Sequence, residues 1–135
     1  MNGKFIAASL AAVGMSVLFV FYVLRLADVP DGLRREFYSN GKVKSEVNYL
    51  HGKPDGLAKT FFENGLPKAE LPHVAGKVEG MAKEYYANGN LKSAVNYKDD
   101  LPDSLAKFYN ENGNLATEVI YKSGEEISRT QKATP

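Results

Sequence analysis

The side chains that could do chemistry in this sequence are few, and their spacing does not assemble them. His51 and His73 are the two histidines, and there is no cysteine. Neither histidine stands at ligand spacing from a second imidazole or a thiolate, so no metal site is expected. The missing cysteines also remove disulfides, thiol nucleophiles and a lipid-modified cysteine anchor. No Gly-x-Ser-x-Gly elbow and no phosphate loop occurs. The acidic pairs Asp99-Asp100 and Glu125-Glu126 are chain neighbours, which face opposite ways in a strand and are solvated in a turn. The expectation is a protein that is not an enzyme, with no catalytic residue, no cofactor and no metal.

A recurrent cation is the one remaining chemical signal. Arg35, Lys59, Lys83 and Lys107 follow one another at intervals of 24. At one position of a repeat they line one face. One reading is an anion-binding strip for phospholipid headgroups or an acidic partner. The other is that their stems cover aromatic rings while the charged ends reach water, with Glu36 and Glu84 balancing them. Nucleic acid is excluded by charge. All 16 Asp/Glu lie at residue 28 or later and just Lys4 and Arg25 of the 17 Lys/Arg come earlier, so the remainder is close to neutral.

The elements that position these cations come from a strict repeat. Asn-Gly occurs at Asn40-Gly41, Asn64-Gly65, Asn88-Gly89 and Asn112-Gly113. Aromatic columns precede the turn: Phe37, Phe61, Tyr85 and Tyr109, then Tyr38, Phe62 and Tyr86, with Asn110 breaking the second. Val47, Leu71, Val95 and Val119 follow it, and then Tyr49, His73, Tyr97 and Tyr121. A second punctuation is Gly52 and Gly56, then Gly76 and Gly80, with Asp100 and Ser104 in the third unit. Asn-Gly between β-rich runs signals a hairpin with a type I′ turn. Strands are therefore expected at 56–63 and 66–73, joined at Asn64-Gly65, and a looser turn at Gly-Lys-Pro-Asp-Gly. Phe61 and Phe62 should point to opposite faces. Pro67 and Pro72 cannot donate to a ladder, so their strand should be bulged, short or at an edge, shielding it from edge pairing or forming a notch for a partner.

The fold class that follows is all-β: an elongated single-layer antiparallel meander of eight or so short strands. One transmembrane α-helix is expected before it. Residues 5–24 carry no charge, and a helix of that length rises about 30 Å, the hydrocarbon thickness of a bilayer. A cleaved signal is the alternative, but Arg25 would sit at −3 of a cut after Ala27. The domains are thus 1–29, anchor and short linker; 30–128, repeat domain; 129–135, flexible tail. The location expected is a bacterial inner membrane, single-pass. The positive-inside rule favours a cytoplasmic repeat domain, whereas the usual signal-anchor arrangement puts it on the outer, periplasmic side.

The repeat resembles the MORN repeat, in the bacterial variant whose units run Tyr-x-x-Asn-Gly-x-Leu-Lys-x-Glu. The residues that carry the likeness are Tyr85-Tyr86-Ala87-Asn88-Gly89-Asn90-Leu91-Lys92 and Phe37-Tyr38-Ser39-Asn40-Gly41-Lys42-Val43-Lys44-Ser45-Glu46. It covers about residues 30–128. It implies stacked hairpins used for protein contacts and sometimes membrane apposition, and many bacterial relatives are labelled antitoxin components. The expected function is a membrane-anchored interaction or scaffold module, with a protein partner or a second copy. Antitoxin-like neutralisation and phospholipid-headgroup binding are the alternatives. The candidate partner-binding residues are Arg35, Lys59, Lys83, Lys107, Phe61, Phe62, Tyr85, Tyr86, Pro67 and Pro72.

Overall fold

The computed structural model describes residues 30–132. The expected transmembrane helix at 5–24 and residues 133–135 of the tail lie outside them. Among the described residues no helix is long and apolar enough to cross a membrane.

The described chain is one antiparallel sheet of twelve strands. Four hairpins form its frame: β1 (Gly32–Phe37) with β2 (Val43–Leu50), β4 (Gly56–Phe61) with β5 (Pro67–Val74), β7 (Gly80–Tyr85) with β8 (Leu91–Lys98), and β10 (Ser104–Tyr109) with β11 (Leu115–Lys122). Two-residue strands β3 (Lys53–Pro54), β6 (Lys77–Val78) and β9 (Leu101–Pro102) fold back on β2, β5 and β8, and β12 (Glu125–Gln131) closes the far edge. The order is β1-β2-β4-β5-β7-β8-β10-β11-β12. Eight inter-strand spacings make this path about 38 Å. The strand count thus exceeds eight because the short return strands and β12 were not legible as strands. The sheet also continues to Gln131, past the boundary expected at 128.

The two kinds of turn are the reverse of the expectation. Asn40, Asn64, Asn88 and Asn112 do not have positive φ; Gly41, Gly65, Gly89 and Gly113 do. The Gly41 N–H donates to the Tyr38 carbonyl at 2.9 Å and the Tyr38 N–H to the Lys42 carbonyl at 2.8 Å. That is a three-residue loop, a type I turn followed by a left-handed glycine. Type I′ geometry falls at the other end of each hairpin, where both central residues have positive φ: His51-Gly52, Ala75-Gly76, Asp99-Asp100 and Ser123-Gly124. In the first three turns the asparagine Oδ1 also accepts the N–H two residues on, Lys42 at 3.0 Å, Leu66 at 2.9 Å and Asn90 at 2.9 Å.

One face of the sheet is packed. Ser45, Val47 and Tyr49 alternate with exposed Lys44, Asn48 and Leu50 along β2. Small side chains are also buried along the sheet: Ala58, Ala69, Ser93 and Ala106. Two apolar clusters result, Val47, Tyr49 and Ala58 with Leu71, and Val95, Ala106, Val119 and Tyr121 with Tyr97 and Phe108. Each main hairpin carries a bulge next to its Asn-Gly turn, at Glu36/Phe37, Thr60/Phe61, Glu84/Tyr85 and Phe108/Tyr109. Bulges raise local twist, and the small side chains allow a strongly twisted layer to pack on itself.

Successive hairpins meet at just two residue pairs per junction, such as Ser45↔Thr60 and Glu46↔Lys59. Side chains hold the rest. Asn40, Asn64 and Asn88 donate Nδ2 to the carbonyls of Glu63, Ala87 and Glu111 at 3.5, 3.0 and 2.9 Å. At the opposite end the carboxylates of Asp55, Glu79 and Asp103 accept from the N–H of Ala75, Asp99 and Ser123 at 3.0, 2.8 and 3.2 Å. These bonds satisfy donors in loops that have no ladder partner.

Candidate interaction face

The face opposite the packed one carries the recurrent cations. Reading Cα partners across the sheet gives one unbroken row: Arg35, Glu46, Lys59, Glu70, Lys83, Ala94, Lys107, Glu118, Thr130. The first hairpin strand supplies the cation and the second supplies the acid, so charges alternate across strands. The balancing acids are therefore Glu46, Glu70 and Glu118. Glu36 and Glu84, expected to fill this role, pair with Ser45 and Ser93 on the packed face, because they are one residue removed from their cation. Glu36 Oε2 accepts from the Ser45 hydroxyl at 3.3 Å. Glu84 Oε1 meets Lys92 Nζ at 3.1 Å, while its Oε2 is buried without a hydrogen-bond partner among the described residues.

The row is unevenly closed. Arg35 Nε meets Glu46 Oε1 at 2.7 Å, and Lys132 Nζ meets Glu118 Oε2 at 3.2 Å. Lys59, Lys83 and Lys107 form no ion pair within 4 Å among the described residues. Two residues ahead of each cation, on the same face, runs an apolar column of Leu33, Leu57, Met81 and Leu105. They are 54%, 47%, 46% and 41% exposed.

The aromatic candidates divide by geometry. Tyr85 belongs to this face and donates its hydroxyl to Glu70 Oε2 at 3.3 Å. Burial first, and then proximity to that carboxylate, raise its phenol pKa above the ordinary value. Phe61 stands opposite Pro67 at the bulge. Tyr86 instead bridges repeats: its hydroxyl donates to the Tyr109 carbonyl at 2.8 Å, as that of Tyr38 does to the Phe61 carbonyl at 2.7 Å. Phe62 occupies the same position without a hydroxyl. Lys68 and Lys92 place their ammonium groups 5.9 Å from the Phe62 and Tyr86 rings, within cation–π range. These second-column rings serve the stacking of hairpins.

The proline strand is neither short nor at an edge. β5 has eight residues, like β2, and is paired on both sides. Pro67 opens it at the bulge, where a strand tolerates proline. The Pro72 carbonyl accepts from the Glu79 N–H at 3.0 Å. Carbonyl and nitrogen of one strand residue point the same way, so the missing N–H lies toward the next hairpin and costs no rung with β4. Pro72 Cγ packs 3.4 Å from where a Cβ on Gly80 would stand, an ordinary contact distance. Of the three expectations for this strand, the bulge is present, at Pro67, while the strand is neither short nor at an edge.

His73 is buried in the tyrosine column, its Nδ1 2.9 Å from the Leu71 carbonyl. Burial lowers its pKa below the ordinary histidine value, opposed by that carbonyl and by Asp100. His51 is exposed in its turn, its Nδ1 3.9 Å from Asp31 Oδ2. The residues missed by sequence reasoning are the apolar column and the carboxylates of Asp55, Glu79 and Asp103. The first was signalled by its two-residue spacing from the cations, the second by Pro-Asp recurring at Pro54-Asp55 and Pro102-Asp103, with Val78-Glu79 between them.

This geometry defines a protein class: a single antiparallel sheet built from hairpin repeats of constant register. Residues 30–51, 78–99 and 102–123 match the MORN repeat variant. Between the first two matches the sheet continues through β4 and β5 with the same pairing. No curated protein matches the chain. Solved structures that resemble it include a TarM mutant of S. aureus in complex with fondaparinux, alpha-GlcNAc-glycerol and UDP (14% identity, TM-score 0.48), and TarM (15%, 0.47). They cover 82% and 83% of this chain, which spans 23% of each of theirs.

Proposed function

We propose that this protein is an interaction module that binds a protein partner through the cation-bearing face of its sheet, tethered to a membrane by residues 5–24, as an accessory subunit of a membrane complex. The observation that supports this reading is the exposed column Leu33, Leu57, Met81 and Leu105. Four large exposed apolar side chains recur at successive hairpins on one face, with Asn48, Pro72 and Asn96 on the strands between them, and exposed large apolar side chains gathered on one face are what contact sites use. The alternating charges beside it provide a polar rim of the kind interfaces have.

The test is crosslinking and mild-detergent pull-down of the full chain beside a variant carrying Leu57→Asn, Met81→Asn and Leu105→Asn. The reading expects a specific partner, or a second copy, held by the wild type and lost from the variant. Equal capture by both would place the contact elsewhere, and lone monomers without a co-purifying protein would refute it.

A further inference from the structure

The charge row has one defect, and it lies between two cations. Every other internal position supplied by a second hairpin strand is glutamate: Glu46 between Arg35 and Lys59, Glu70 between Lys59 and Lys83, and Glu118 beyond Lys107. In β8 that position is Ala94, the Cα partner of both Lys83 and Lys107. The two lysines are two strand spacings apart, about 9.5 Å, so their long side chains can converge over the methyl group of Ala94. The acids on their outer flanks are already shared: Glu70 is also the partner of Lys59 and accepts from Tyr85, and Glu118 is held by Lys132 at 3.2 Å. Asn96 is the next β8 residue on this face and is uncharged.

We infer that the Ala94 gap is a receptor for a carboxylate side chain of the partner, which takes the place glutamate has in the other repeats. This rests on the interaction-face reading and names the chemistry of its occupant. Charge complementarity fixes that occupant as an acidic polypeptide segment. Met81 and Leu105 stand on the same face two residues before Lys83 and Lys107, about 7 Å along the strands, and both are exposed. The segment therefore pairs an acidic side chain with an apolar one at two-residue separation in an extended chain. Alternation of carboxylate and hydrocarbon is what this corner of the sheet recognises.

The experiment uses the full chain and a fluorescent ten-residue peptide alternating glutamate with leucine. Its controls are the glutamine-for-glutamate peptide and phosphatidylserine vesicles. The acidic peptide binds, weakening as salt is raised, and the glutamine peptide does not. Ala94→Glu, which completes the row internally, weakens binding by about tenfold or more, as do Lys83→Gln and Lys107→Gln. Lys59→Gln, between two acids, changes it less than about twofold. Circular dichroism and a melt confirm folding, and if Ala94→Glu does not fold the two lysine variants decide the matter. Ala94→Glu binding like wild type would overturn the site, as would Lys59→Gln weakening binding as much as the other lysine changes. Vesicle binding without peptide binding would assign the gap to lipid and overturn it too. Should the pull-down partner survive Ala94→Glu yet be lost on Leu57, Met81 and Leu105 substitution, the interaction face stands and the carboxylate receptor falls.

Discussion

Asn64 joins two turns at once. Its Oδ1 accepts from the Leu66 N–H at 2.9 Å within its own turn, and its Nδ2 donates to the Ala87 carbonyl of the next turn at 3.0 Å. Asn88 repeats the arrangement with Asn90 and Glu111, both at 2.9 Å. Asn112 is at the end of the series, and its side chain makes neither bond among the described residues.

That contrast sets the first prediction. Asn88→Ala loses two hydrogen bonds and lowers stability by about 1–2 kcal/mol, each bond contributing about 1 kcal/mol. Asn112→Ala stays within about 0.5 kcal/mol of wild type, as surface changes do. Urea melts measure both, and equal losses would refute the two-turn role.

The second column of aromatics supplies a gain as well as a loss. Phe62→Tyr places a hydroxyl where Tyr38 and Tyr86 have theirs, within reach of the Tyr85 carbonyl. Stability should rise by about 0.5–1 kcal/mol. Tyr86→Phe should lose a similar amount. The readout is the urea midpoint at unchanged slope; a Phe62→Tyr midpoint at or below wild type would count against the bridge.

His73 makes stability depend on pH. Its folded pKa is lowered, mainly by burial, so around and below the unfolded value of about 6.5 the unfolded chain binds more protons than the folded one. Stability attributable to His73 is complete above that value and declines as pH falls from it through the folded pKa. His73→Tyr restores the residue of the other units and should flatten this slope between pH 7 and 5. Parallel melting curves for both proteins across that range would reject the assignment.

Backbone strain in the third unit gives a fourth test. Ser104 has φ 71° where Gly32, Gly56 and Gly80 stand in the other units. Ser104→Gly relieves the left-handed cost of a side chain and should stabilise by about 0.5–1 kcal/mol, less the entropy glycine adds to the unfolded chain. The reverse holds at Gly76, with φ 89° and a Cβ position 3.3 Å from Lys53 Cβ. Gly76→Ala should lose more than about 1 kcal/mol. A Ser104→Gly melt below wild type would show that its hydroxyl bond to Asp103 outweighs the strain.

The repeat and its hairpins were legible because period-two patterning and turn glycines are local signals. The alternation of Leu57, Lys59 and Phe61 placed the cations on one face before any pairing was known. The turn types were not legible from composition. Asn-Gly satisfies type I′ and the three-residue loop alike, and the same three-residue loop forms at Asn112-Gly113, where the asparagine side chain makes no bond to a following repeat among the described residues. Nor could the acids opposite Lys59 and Lys83 be named, since cross-strand partners depend on the register that the bulge beside each turn sets, while Glu36 and Glu84, each next to its cation in the strand, face the other way. Pro67 announced the bulge it occupies, but the effect of Pro72 was not legible, because which side of the strand lacks its N–H depends on register. The end of the domain was missed because β12 pairs with β11 through a Ser123-Gly124 turn whose strand has no repeat pattern to announce it.

The strand order follows the chain order, and each junction between hairpins joins neighbours alone. Loop closure therefore never spans more than about one repeat, which keeps contact order low for an all-β protein. Folding can begin at any hairpin and advance in both directions, with nearest-neighbour terms setting the total. Removing or adding 24 residues between equivalent turns would shorten or lengthen this sheet without resetting it, and the refolding rate should change little with the number of units.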